Sequence, residues 1–201
     1  MSRGALPKYL FWLLLALPAA MLVSGFWHRP EGVYPGDFLH PSGEFSARLI
    51  ILALVLTPLS QLLPNSRIVR WLLRDRRAIG VAAFGYALLH LVFYVFEMET
   101  LAGVLGELPL RSIWTGWLAF FLMLAPAVVS NDRAMRVLKG TWKRIQRLAY
   151  PAAILTLVHW ALIHDGLIPA LTNFAPLAVL QLIRFFRFLT RNHTTPQRST
   201  T

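Results

Sequence analysis

Residues 79–97 read IGVAAFGYALLHLVFYVFE, a run in which no charged side chain appears before Glu97 and the polar groups are Tyr86, His90 and Tyr94. A helix rising 1.5 Å per residue needs about 20 such residues to cross the hydrocarbon core of a bilayer. The stretch therefore reads as a membrane span. An imidazole inside it is costly unless it has a partner, so the function turns on what His90 bonds.

Five other stretches have the same character: 9–27, 46–64, 113–130, 147–164 and 168–186. The chain is 56% hydrophobic and 14% charged, with a mean hydropathy of +0.54, too apolar for a water-soluble domain of 201 residues. The expected fold is all-α, an integral membrane bundle of six transmembrane helices. The first span also resembles a signal peptide, with a basic start before an apolar core, but its apolar run is long and no A-x-A cleavage site follows. Four segments are expected: an N-terminal helix and outer loop (1–37), a central transmembrane domain that carries both membrane-buried histidines (38–166), a sixth span (167–189) and a disordered polar tail (190–201).

Charge sets the orientation. Seventeen of the 20 basic residues fall on one side of these spans, while Arg29, Arg48 and Arg111 share the other with seven of the nine acids. By the positive-inside rule both termini are cytoplasmic, and in a bacterium the acidic loops face the periplasm across the inner membrane. The net charge of +11 thus records arginines at a membrane surface rather than nucleic-acid binding. Without cysteine, disulfides, iron–sulfur clusters and thiolate-bound haem are excluded. No Walker-A loop, G-x-G-x-x-G or H-E-x-x-H motif is present, and no internal repeat stands out.

Histidines stand at 28, 40, 90, 159, 164 and 193. His193 reads as a solvated tail residue and His28 as interfacial; His40 and His164 lie near the outer surface. Only His90 and His159 fall well inside spans. His90 follows Arg77 by 13 residues and His159 follows Arg147 by 12, rises of about 20 and 18 Å from the basic side. Two imidazoles at one depth on separate helices suit the two axial positions of a b-type haem. Ala83 and Ala87 share a helix face with His90, and Ala152 and Thr156 with His159, leaving room for a flat macrocycle. Small residues also serve close helix packing, and a histidine pair can relay protons, so a structural or proton-relay role stays open on the spacing alone.

Three stretches carry a resemblance: HPSGEFSARLIILALVLTPLSQLL (40–63), LRDRRAIGVAAFGYALLHLVFYV (73–95) and WKRIQRLAYPAAILTLVHWALIHDG (142–166). In order, they are similar to the ferric-reductase-like transmembrane domain family, most of all to its MsrQ (YedZ) branch, the haem-binding membrane subunits of periplasmic methionine sulfoxide reductase systems. The resemblance implies an electron-transfer subunit rather than a stand-alone enzyme. It would take electrons from the quinone pool or a cytosolic flavin reductase and pass them to a periplasmic molybdenum-cofactor reductase of the MsrP kind. His90 and His159 match the family's haem-iron ligands, and FMN is associated with this branch. The branch usually has a further histidine thirteen residues before the second ligand; here that position is Gln146, and the position thirteen before His90 is Arg77. A single haem, on the outer side, is therefore expected.

Other roles follow from position. Arg48, at the outer end of the second span, would neutralise a haem propionate or snorkel to the interface. His40 would bond a propionate, line a quinone site, or simply face the interface. Arg76 and Arg77 read as topological anchors, or as holders of a flavin or quinone headgroup. Trp27, Trp114, Trp117, Trp142 and Trp160 read mostly as interfacial belt residues. The competing functions are a transmembrane ferric or metal reductase served by a flavin–nicotinamide partner, and a non-redox six-span protein using the histidine pair for protons.

Overall fold

The computed structural model describes residues 5–163 and 166–193, all helices and connections with no strand among them. In chain order the helices are α1 (Ala5–Trp27), α2 (Gly36–Leu62), α3 (Arg67–Arg74), α4 (Arg76–Met98), α5 (Leu101–Glu107), α6 (Arg111–Val128), α7 (Asp132–Gln146), α8 (Ala149–Leu162) and α9 (Leu167–His193).

Five of these, α1, α2, α4, α6 and α9, are long and apolar enough to cross a membrane, so the chain is a multi-pass membrane protein. The sixth span expected at 147–164 is shorter: α8 has 14 residues, about 21 Å of helix. The cause lies at Pro151, which has no N–H to donate to the Arg147 carbonyl. Arg147 and Leu148 stay in the right-handed region (φ −70°, ψ −16° and φ −61°, ψ −18°) and carry the chain from α7 into α8. α2 is longer than its expected span, starting at Gly36 and bringing His40 onto the helix. α9 runs through His193, so residues 190–193, expected in the disordered tail, are helical; the remainder of that tail lies outside the described residues.

Two helix pairs build the bundle, α2 with α4 and α6 with α8, and α9 closes the space between α2 and α8. Small residues let the pairs approach: Ala83 and Ala152 are wholly buried in a core that also takes in Ile50 and Leu54 of α2, Met123 of α6 and Phe174 of α9. Ser46 of α2 donates to the Ala83 carbonyl at 2.9 Å, an interhelical bond where hydrocarbon offers no alternative partner. At the end of the bundle away from the basic side Glu97, near the end of α4, accepts the Gly36 N–H at 2.6 Å, satisfying an orphan donor in the first turn of α2. α1 is fastened to α4 by Tyr86, whose hydroxyl donates to the Leu15 carbonyl and accepts the Ala19 N–H, both at 2.9 Å. Those two groups form one i→i−4 pair beside Pro18, so the hydroxyl is inserted where the helix ladder is weakest.

Candidate functional site

His90 comes from the carboxyl-terminal half of α4 and His159 from the carboxyl-terminal half of α8, and the bundle brings their rings together edge to face. Their ring centroids are 6.1 Å apart with planes at 82°. The equal depth expected from the sequence is therefore realised across two helix pairs.

Each imidazole is fixed in the same way by the neighbouring helix. His90 Nδ1 lies 2.9 Å from the Leu39 carbonyl of α2, and His159 Nδ1 lies 2.6 Å from the Ser112 carbonyl of α6. A carbonyl only accepts, so Nδ1 carries the proton in both rings and Nε2 is left as the lone-pair nitrogen. A backbone acceptor behind a ligating histidine fixes its tautomer and orientation.

The two supports repeat residue for residue. Four residues after each acceptor carbonyl stands a glycine, and the ring lies against it: a Cβ on Gly43 would sit 3.0 Å from His90 Nδ1, and one on Gly116 2.7 Å from His159 Nδ1. One residue before each glycine is a buried hydroxyl whose proton is shared between that carbonyl and the one before it: Ser42 with Phe38 at 2.7 Å and Leu39 at 2.9 Å, and Thr115 with Arg111 at 2.7 Å and Ser112 at 2.9 Å. A hydroxyl–glycine pair thus recurs at 42–43 and 115–116, a local repeat where none was expected.

Between the rings opens a cavity of about 440 Å³, walled by small residues such as Ala47, Ala87 and Thr156, within the size range of small-molecule sites. A metal–imidazole bond of about 2 Å on each side, with about 1 Å from nitrogen to ring centre, puts two axial rings about 6 Å apart, matching the observed separation. Among the described residues no group of three or more His, Asp or Glu side chains could hold a bare metal ion. Two imidazoles facing an apolar cavity suit a metal whose remaining ligands come from a macrocycle.

His40 lines this cavity but Arg48 does not. Glu44 takes both: His40 Nε2 lies 3.2 Å from one carboxylate oxygen and Arg48 Nη2 2.8 Å from the other. Arg48 also donates to Asn173 of α9 at 3.3 Å. Its charge is thus already met by a carboxylate that sequence reasoning passed over. Two more unforeseen groups sit at the cavity, Tyr94 and Glu107, joined by a 3.0 Å hydrogen bond from the phenol. The His28 ring bonds back to α1, at the Ser24 carbonyl, and His164 lies outside the described residues.

On the basic side a second cavity includes Arg77 and Gln146 in its lining. Gln146 does not offer itself as a ligand: its Nε2 donates to the Pro126 carbonyl at 3.0 Å and to Ser130 at 3.1 Å. Beside it Trp142 donates to the Val129 carbonyl at 2.9 Å, so α7 satisfies the carboxyl end of α6 and Trp142 serves as a cap. Trp160, expected in the interfacial belt, is instead buried in the core, whereas Trp27 is largely exposed. Met123 lines both cavities and stands between them.

Comparison with known proteins gives the geometry a context. Residues 42–157, more than half the chain, match the family described as ferric reductase like transmembrane component. The chain is 31% identical to the protein-methionine-sulfoxide reductase heme-binding subunit MsrQ of Xanthomonas axonopodis pv. citri, over 91% of this chain and 87% of that protein. Identity to the protein of the same name from Azospira oryzae is 32%, over 96% and 84%, and to that from Rhizobium meliloti 33%, over 80% and 77%. No solved structure matches. The matched segment begins at the hydroxyl–glycine pair behind His90 and ends within α8, and on these grounds the chain belongs to the ferric reductase like transmembrane component family.

Proposed function

We propose that the protein is the haem b-carrying membrane subunit of a methionine sulfoxide reductase system, passing electrons to a reductase on the outer side of a bacterial inner membrane. The observation that carries this is the His90–His159 pair, 6.1 Å apart, with each Nδ1 held by a backbone carbonyl. His90 and His159 would hold the haem iron through Nε2. A haem so held would supply one-electron transfer. Gly43 and Gly116 let the rings close on the helix backbone, the carbonyls of Leu39 and Ser112 hold the tautomer, and the apolar wall excludes water. His40, which lines the cavity, is the candidate propionate partner; Arg48 is engaged by Glu44 instead.

One haem is expected. At the basic level the positions facing the inner cavity are Arg77, paired with Asp132 at 2.6 Å, and Gln146, committed to α6. Six crossings with both termini cytoplasmic accommodate this. α8 serves as the short crossing, extended by residues 144–148, with Arg144 and Arg147 reaching the interface.

A quinol is the better donor. The basic surface lies about 20 Å of helix away from the ligands, far for a cytosolic flavin reductase acting directly. The outer cavity, by contrast, has proton acceptors at hand in the His40–Glu44 and Tyr94–Glu107 pairs. A bound FMN would shorten the inner route and is the competing arrangement. The acceptor is a methionine sulfoxide reductase, the system named for the relatives; that it is a periplasmic molybdenum-cofactor enzyme of the MsrP kind is what the resemblance implies.

The test is the dithionite-reduced minus oxidised spectrum of the wild type, His90→Ala and His159→Ala, with a quinol analogue as a second reductant. A low-spin b-type signal in the wild type, its loss in both variants and its reduction by quinol are expected. A full signal in either variant would remove that residue from the site; reduction by flavin reductase alone would reverse the donor.

A further inference from the structure

The cavity on the basic side has a composition that its role as an end-cap of α6 does not explain. It measures about 820 Å³, and six cations line it, Arg74, Arg76, Arg77, Lys143, Arg147 and Arg184, with no Asp or Glu in the lining. They converge from α3, α4, α7, the α7–α8 connection and α9. A solvated row of topological anchors would point away from one another; these share one concave space.

Three of the six are held in place. Arg76 donates to Thr57 of α2 at 2.9 Å, and Arg184 to the Tyr150 hydroxyl of α8 at 3.3 Å. Both partners are neutral oxygens, and the ion pairs among the described residues include neither guanidinium. Arg77 is the member that meets a carboxylate, Asp132. Arg76, Arg77 and Arg184 are half-buried, while Arg74, Lys143 and Arg147 are exposed at the rim. Guanidinium groups fixed in a partly desolvated pocket match the oxygens of a phosphate, and basic pockets between membrane helices on the cytoplasmic side take anionic headgroups.

We propose that this inner cavity binds a phosphate-bearing anion, held chiefly by Arg76, Arg77 and Arg184. Two sources offer that chemistry, the headgroup of an acidic phospholipid and a soluble phosphoester, and the position at the basic membrane face is open to both. The site is separate from the histidine pair, and its occupancy does not depend on the haem reading.

The test uses the full-length protein in nanodiscs of neutral phosphatidylcholine. One arm adds cardiolipin and reads retention by native mass spectrometry; the other titrates inorganic pyrophosphate and reads heat of binding. Helical circular dichroism reports folding independently of haem. The wild type is expected to bind in at least one arm, and Arg76→Gln/Arg184→Gln to weaken that binding at least tenfold with unchanged circular dichroism. Cardiolipin retention without a pyrophosphate response identifies the lipid as the source, and the reverse identifies a soluble ligand. Should the double variant misfold, Arg184→Gln alone serves, with a weakening of several-fold expected. Wild-type protein that binds neither probe, or a folded variant that binds as tightly as wild type, overturns the proposal.

Discussion

Glycine behind each histidine is the feature on which the outer site rests. A Cβ at residue 116 would stand 2.7 Å from His159 Nδ1, nearer than the 3.0 Å met at residue 43 beside His90. Gly116→Ala is therefore expected to lower haem occupancy more than Gly43→Ala, each costing about 1–3 kcal/mol through overpacking. Pyridine haemochrome assay and thermal melting of both variants check the order, and equal full occupancy would contradict it. The histidines themselves were legible in the sequence, because depth follows from counting residues along a helix. Their supports were not, since a glycine's role here belongs to the ring of another helix. The hydroxyl–glycine pairs at 42–43 and 115–116 were nevertheless present as a readable signal, each in the second turn of a helix that ends up packed against a histidine-bearing one. The ion pair that engages Arg48 was likewise not foreseen. Its partner Glu44 sits one turn away on the same helix, and i, i+4 pairing of that kind competes with any propionate.

At the scale of elements, hydropathy located the long helices and overstated the regularity of α8. Apolar content continues through 147–164, but the proline at 151 resets the hydrogen-bond ladder, so the pattern exceeds the helix. The reverse holds for α2, whose outer turns around His40 and Ser42 are too polar to count as span yet remain helical. The Tyr86 bridge predicts that Tyr86→Phe weakens attachment of α1, leaving the Ala19 N–H and Leu15 carbonyl without their shared partner. A loss of about 1 kcal/mol in thermal or denaturant unfolding is expected, with the haem spectrum unchanged because Tyr86 lies outside the cavity. Gln146→His is expected to leave the haem-to-protein ratio at one. The facing position is Arg77, and a lone imidazole there has no axial mate; a ratio of two would show that the inner cavity holds haem after all.

For the molecule as a whole, the basic edge and the long apolar helices came directly from the order of charges and apolar runs along the chain, and the charge asymmetry is what an orientation with the basic edge inside rests on. Reporter fusions are expected to place both termini and residues 132–147 inside, and 99–110 outside; an external carboxyl terminus would exclude α8 as a crossing. The two cavities, one between imidazoles and one ringed by cations, were legible only in part, since each is assembled from helices far apart in sequence. The account stands or falls on both imidazoles meeting one iron, and electron paramagnetic resonance of the oxidised purified protein tests this most directly. With ring planes at 82°, a low-spin ferric signal of the highly anisotropic kind given by near-perpendicular axial imidazoles is predicted. A high-spin signal, or a low-spin one that survives His90→Ala or His159→Ala, would contradict it.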